Sequence, residues 1–142
     1  RIAEAMHEEK PGSASLDNQF DITATRDVHE RTTAEEIWQQ TYAKVDAFVC
    51  ATGTGGTLAG VARGLRKHHP NVTIGLCDPE GSGLHHYFTH GEIKIVGSSL
   101  SEGIGNSRIT DNLADTVIDW SCQIPDSEAL TIVYDKIRDE GL

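Results

Sequence analysis

The stretch Ala47-Phe48-Val49-Cys50-Ala51-Thr52-Gly53-Thr54-Gly55-Gly56-Thr57 leaves this chain few folds to choose from. Its first five residues are all small or apolar and read as a strand buried on both faces, the pattern of a central strand in a parallel sheet. A turn dense in glycine and threonine follows at once. Beyond it, Leu58, Val61, Ala62 and Leu65 fall at i, i+3, i+4 and i+7, one apolar stripe of a helix. The turn therefore joins a strand end to a helix N-terminus. Unpaired backbone N–H groups and the positive end of the helix dipole converge there, which makes the place an anion site. Glycine permits close approach and positive φ, and Thr54 and Thr57 can add hydroxyl donors.

A phosphate is the natural occupant. A Walker loop needs a lysine where this chain has Thr57, so NTPase chemistry is disfavoured. A dinucleotide fingerprint starting at Gly53 needs a third small residue at position 58, and Leu58 is too bulky for close helix–strand contact. Asp78, at the end of the next strand, stands where a ribose-binding acid would, so a Rossmann-like nucleotide-binding module stays open. The plainest alternative is a glycine-rich turn that binds nothing.

At 142 residues the chain has the length of one domain and can bury a core. Its net charge of −10 argues against nucleic acid and against anionic membranes. No apolar run approaches spanning length, and a cytoplasmic protein is expected. Cys50, Cys77 and Cys122 show no CxxC spacing and read as reduced thiols in an oxidant-poor compartment, Cys50 and Cys77 as buried strand residues. The chain opens on Arg1 amid helix-like sequence, so a fragment of a longer protein is expected.

In chain order, residues Arg1 to Glu9 read as helix, stopped by Pro11-Gly12. Residues 13–25 read as loop, with a short strand over Leu16–Phe20. Thr32 to Glu35 and Thr33 to Glu36 form overlapping capping boxes that start a helix keeping Ala34, Ile37, Trp38 and Thr41 on one side. Val72 to Cys77 is a second buried strand, so residues 46–77 make a βαβ unit with parallel neighbours. A loop and one short helix follow to Gly91, then a loop rich in glycine and serine over residues 98–107. A third strand is expected over Thr116–Trp120. Asp126 should cap a last helix striped by Leu130, Val133, Tyr134 and Ile137.

Taken together, Gly53-Thr54-Gly55-Gly56-Thr57 after a buried strand, then Asp78-Pro79-Glu80-Gly81-Ser82, then Glu102-Gly103-Ile104-Gly105, resemble the cysteine synthase (O-acetylserine sulfhydrylase) and cystathionine β-synthase family of fold-type II pyridoxal-phosphate (PLP) enzymes. Asn18-Gln19-Phe20, His29, Thr32-Thr33 and Glu36-Ile37-Trp38 agree in order and spacing, and Val117-Ile118-Asp119, Asp126-Ser127-Glu128-Ala129 and Glu140-Gly141-Leu142 continue the match. The resemblance implies a three-layer α/β fold with a mainly parallel sheet and flanking helices, residues 1–142 forming one incomplete PLP-binding domain of the tryptophan synthase β-like kind. It implies that Gly53, Thr54, Gly55, Gly56 and Thr57 hold the cofactor phosphate and that Gly103 lies beside the cofactor ring. Gln19 would help bind the substrate carboxylate. The implied reaction is β-replacement, in which O-acetylserine loses acetate and gains sulfide to give cysteine. Implied partners are a small amino-acid substrate, the C-terminal tail of serine acetyltransferase and a second copy in a homodimer.

The departures are as informative. The family's Schiff-base lysine lies upstream of the Gln19-Phe20 motif, and Lys10, Lys44, Lys67, Lys94 and Lys136 occupy no such place. The upstream Ser/Thr-Gly-Asn loop and the Ser-Ser-Gly segment facing the pyridine nitrogen are also absent, and Ile22-Thr23-Ala24-Thr25 replaces the usual Asn-Pro-Ala-Asn. The chain alone is therefore expected to be inactive, with no catalytic residue assigned; a non-catalytic interaction or oligomerisation fragment is the third reading. His86 and His90, four apart, lack the Cys or carboxylate that would complete a metal set and read as surface histidines. His68-His69 should interact favourably with a helix C-terminus.

Overall fold

The computed structural model describes Ala5, Glu8, Glu9 and residues 20–142. Ala5, Glu8 and Glu9 are helical; the remainder of the expected first helix and the expected strand over Leu16–Phe20 lie outside or at the edge of the described residues, with Phe20 in a turn. The elements are α1 (Ala24–Arg31), α2 (Thr33–Gln40), β1 (Ala47–Ala51), α3 (Gly56–His68), β2 (Thr73–Pro79), α4 (Leu84–His90), β3 (Trp120–Ile124) and α5 (Asp126–Glu140).

Among the described residues three strands form one parallel sheet in the order β1-β2-β3. Ala47 pairs with Thr73 and Ala51 with Cys77, while Gly75 pairs with Trp120 and Pro79 with Ile124. The fold class is therefore α/β with a parallel sheet flanked by helices, as the βαβ pattern implies. Leu58, Val61, Ala62 and Leu65 of α3 are fully buried and pack with Ile74 and Leu76 of β2, with Leu84 of α4, and with Ala34 and Leu113. Phe48 and Cys50 lean on the same core. The alternate residues Ala47, Val49 and Ala51 are exposed.

Several expectations need correcting. Among the described residues β1 lies at the edge of the sheet and not at its centre, with only one of its faces covered, and β2 takes the central place. The capping boxes do not form: Thr32 Oγ1 donates back to the Val28 carbonyl at 2.9 Å, and Glu35 turns to His68 Nε2 at 2.5 Å. The cause lies in α1, which runs to Arg31 and leaves Thr32 closing one helix as the next begins. Residues 24–31 carry no apolar stripe, since the only buried residue of α1 is Arg26. The structure compensates with close approach. A Cβ on Gly60 would lie 2.3 Å from the Arg26 carbonyl oxygen, and one on Gly64 2.3 Å from Ala34 Cβ, so these glycines let α1 and α2 settle against the α3 backbone.

The third strand spans Trp120–Ile124, not Thr116–Trp120. Ladder contact begins at Asp119, whose N–H donates to the Ile74 carbonyl at 2.9 Å while its carboxylate accepts from Ile74 N at 2.6 Å and from Arg66 at 2.8 Å. Asp126 is the first residue of α5 and makes no cap. Its carboxylate instead accepts from Ser99 Oγ at 2.5 Å and from Leu100 N at 2.6 Å, tying the serine-rich loop to the end of the sheet. No residue of α5 is buried; its expected stripe of Leu130, Val133, Tyr134 and Ile137 faces solvent.

Candidate functional site: a backbone anion cradle

The turn between β1 and α3 is built so that its carbonyls are spent and its amides are not. Among the described residues, the N–H groups of Gly53 through Leu58 donate to no protein acceptor. The carbonyls that alternate with them are occupied: Thr52 O accepts from Gly105 N at 2.7 Å, Gly53 O from Asn106 Nδ2 at 3.2 Å, and Thr54 O from Thr110 Oγ1 at 2.7 Å. Three bonds from one distant segment thus turn the peptide units over, carbonyls toward residues 105–110 and amides toward the mouth of the sheet. A small concavity of about 60 Å³ opens there, lined by residues 51–58.

Glycine is required at two points for separate reasons. Gly55 has φ +88° and caps α3, and a Cβ on it would lie 2.4 Å from Leu113 Cγ. Gly53 meets the Gly103 carbonyl oxygen, which would be 2.5 Å from its Cβ. That contact brings the Glu102-Gly103-Ile104-Gly105 segment against the glycine turn. Gly103 has φ +81° and open space where its side chain would be. Its need for glycine is already set by the backbone, before any neighbouring ring is considered.

Two residues that sequence reading left without a role belong to this place. His29, on α1, has Nε2 3.1 Å from Thr57 Oγ1 and Nδ1 2.8 Å from Thr33 Oγ1. Asn106 anchors the turn by donating from Nδ2 to the Gly53 carbonyl, and its side-chain Oδ1 accepts from Ser107 N at 2.8 Å. A glycine at every fourth position of α3 (56, 60, 64) is the signal that could have found the helix carrying His29. Gln19 lies outside the described residues. Its neighbour Phe20 sits under the Arg108 guanidinium, 5.6 Å from the ring centre, and Arg108 pairs with Asp21 at 2.9 Å.

Asp78 is no ribose acceptor. It is fully buried, and one carboxylate oxygen accepts the His85 N–H at 2.8 Å at the start of α4 while the other has no partner among the described residues. Burial pushes its carboxyl above the usual range, against the His85 and Ser82 hydrogen bonds. His86 and His90 stack with ring centres 4.4 Å apart, and His86 Nδ1 is engaged by the Glu92 carbonyl. No cluster of three metal-ligating side chains occurs among the described residues. His68 stacks on Trp38, centres 4.9 Å apart, in the last turn of α3. Cys77 and Cys122 face each other across β2 and β3 with sulfurs 3.6 Å apart; these two and Cys50 are free thiols, half-buried and not fully buried. No helix among the described residues is long and apolar enough to cross a membrane.

The profile of the family described as "Pyridoxal-phosphate dependent enzyme" matches residues 1–142, the whole chain. This chain belongs to that family. Cysteine synthase 1 of Neurospora crassa is 49% identical over 141 residues, which is 96% of this chain and 38% of the relative. Cysteine synthase 1 of Emericella nidulans is 46% identical with the same coverage of both chains, 96% and 38%. Among solved structures, the O-acetylserine dependent cystathionine beta-synthase from Helicobacter pylori superposes with a TM-score of 0.85 at 28% identity, covering 99% of this chain and 44% of that one. The chain therefore spans about two-fifths of the length of these relatives.

Proposed function

We propose that this chain is the cofactor-phosphate-binding segment of a cysteine synthase-type enzyme that replaces the acetate of O-acetylserine with sulfide. One observation carries the reading: consecutive amides at Gly53 to Leu58 have no protein acceptor among the described residues while the carbonyls beside them are tied down. An array of that kind at a helix N-terminus complements a phosphate dianion. Membership of the family favours pyridoxal phosphate as the compound that carries this phosphate. When bound, this cofactor acts as the electron sink that lets an amino acid lose its α-proton and β-substituent. The chain's own part is to grip the phosphate through Gly53, Thr54, Gly55, Gly56 and Thr57, and to keep space beside Gly103 for the ring. A small amino-acid substrate and the tail of serine acetyltransferase are the partners this reading carries.

The described residues suit a phosphate, and none of the described lysines lines the concavity. Of the described lysines, Lys67 pairs with Glu30 at 2.5 Å, Lys136 pairs with Glu140, and neither these nor Lys44 and Lys94 line the concavity. Lys10 lies outside the described residues. The 142-residue polypeptide should bind the cofactor without linking to it and should not turn over substrate.

Thermal-shift titration with inorganic phosphate, pyridoxal phosphate, pyridoxal and NAD tests this. Pyridoxal phosphate and phosphate should raise the melting temperature, pyridoxal should not, and added cofactor should keep its free absorbance. Stabilisation by NAD that pyridoxal phosphate fails to displace would favour a nucleotide site, and no response to any phosphorylated compound would overturn the reading.

A further inference from the structure

The His29 ring spends both nitrogens on hydroxyls, Thr33 Oγ1 at 2.8 Å on one side and Thr57 Oγ1 at 3.1 Å on the other. It stands there because Gly60 lacks a side chain: a Cβ at Gly60 would lie 2.7 Å from His29 Cβ. Thr57 is in the first turn of α3 and lines the concavity below the free amides. A hydroxyl both donates and accepts, and a neutral imidazole does one at each nitrogen. The chain Thr33–His29–Thr57 therefore has two complete proton arrangements.

In the first, Nδ1–H donates to Thr33 Oγ1 and Thr57 Oγ1–H donates to Nε2. The Thr57 proton is then turned away from the cradle, leaving oxygen lone pairs toward any anion. In the second, Thr33 Oγ1–H donates to Nδ1 and Nε2–H donates to Thr57 Oγ1. The Thr57 proton is then free to point into the cradle, and the hydrogen bond its oxygen receives makes that proton a better donor. An anion repels the first arrangement and accepts a hydrogen bond from the second.

We propose that His29 is a positioning residue for the anion cradle, its Nε2–H tautomer holding the Thr57 hydroxyl as a donor to the bound phosphate. The proposal rests on the phosphate reading of the glycine turn. It assigns a side chain outside the turn, on a different helix, to the turn's affinity and to its choice of anion.

The direct test is nitrogen NMR of histidine-labelled protein at pH 8, with the His29 signals assigned by their loss in His29→Gln. Under saturating inorganic phosphate, Nε2 should carry the proton and Nδ1 should not. The reverse tautomer, or a doubly protonated ring, with phosphate bound overturns the proposal. A mutant cycle gives an independent readout. Thr57→Val and His29→Phe should each weaken phosphate and pyridoxal phosphate binding about tenfold, the size of one hydrogen bond to a charged acceptor. His29→Phe should have less than about a twofold effect on top of Thr57→Val, because the two act through one hydroxyl. His29→Gln, whose amide can still donate to Thr57, should retain most of the affinity and covers the case in which the phenylalanine variant does not fold. Additive losses overturn the proposal. If the unmodified protein binds no phosphate, the phosphate reading fails and this inference falls with it. Binding with the wrong tautomer, or with additive losses, removes this inference alone.

Discussion

Gly55 combines a left-handed backbone with a neighbour that leaves no room, since Leu113 would crowd any Cβ placed there. Gly55→Ala should cost about 2–3 kcal/mol of stability, from positive φ together with overpacking, and should lower phosphate affinity in the refolded protein; urea unfolding and phosphate titration measure the two. Cys77 makes a different point. Burial, and then the Cys122 sulfur beside it, push its thiol up to about 11. The folded state therefore favours the protonated form more than the unfolded state does. The stability this contributes should be intact up to about pH 9, where an ordinary thiol begins to ionise, and should be lost as pH rises through 11. Chemical denaturation at stepped pH should show that decline, and alkylation of native protein at pH 8 should label Cys77 far more slowly than alkylation in urea. Sequence reading reached the glycines of the turn because their density has few uses. It could not reach His29 or Asn106, whose importance depends on partners 28 and 53 residues away.

Between elements, the α1–α3 contact shows packing overruling propensity. Alanine in a helix interior is favoured over glycine by about 1 kcal/mol, yet at Gly60 its methyl would meet a backbone carbonyl that cannot rotate aside. Gly60→Ala should therefore destabilise the fold by about 1–3 kcal/mol despite its better helix former, a sign reversal that equilibrium denaturation would register directly. The strand–turn–helix–strand unit was legible from 47 to 77 because its apolar residues are contiguous and its breakers are strong. Helix α1 was not, having only a buried arginine where a stripe is sought. The third strand was displaced for a similar reason. Thr116-Val117-Ile118 has the better strand composition, but the ladder starts where Asp119 locks onto Ile74, and Trp120 then lies over Gly75.

For the molecule as a whole, the parallel α/β class followed from the repeated strand–helix order, and the family from the ordered set of motifs. What covers the sheet's second face did not. Val49 is 47% exposed, Trp120 42%, and Val133, Tyr134 and Ile137 of α5 half or more. Apolar surface of that kind in water invites association. The polypeptide should bind a hydrophobic dye and show concentration-dependent sedimentation, and a double change of Val133 and Ile137 to glutamate should relieve both without lowering the melting temperature.

The three bonds that turn the cradle's carbonyls outward all come from residues 105–110, more than fifty positions after the turn they hold. The glycine turn precedes that segment in the chain, and the orientation of its peptide planes waits for the later segment to dock. A chain without residues 105–110 would keep every glycine of the turn and lose the three bonds that orient its carbonyls. The geometry of the cradle is thus a product of long-range closure and not of local shape.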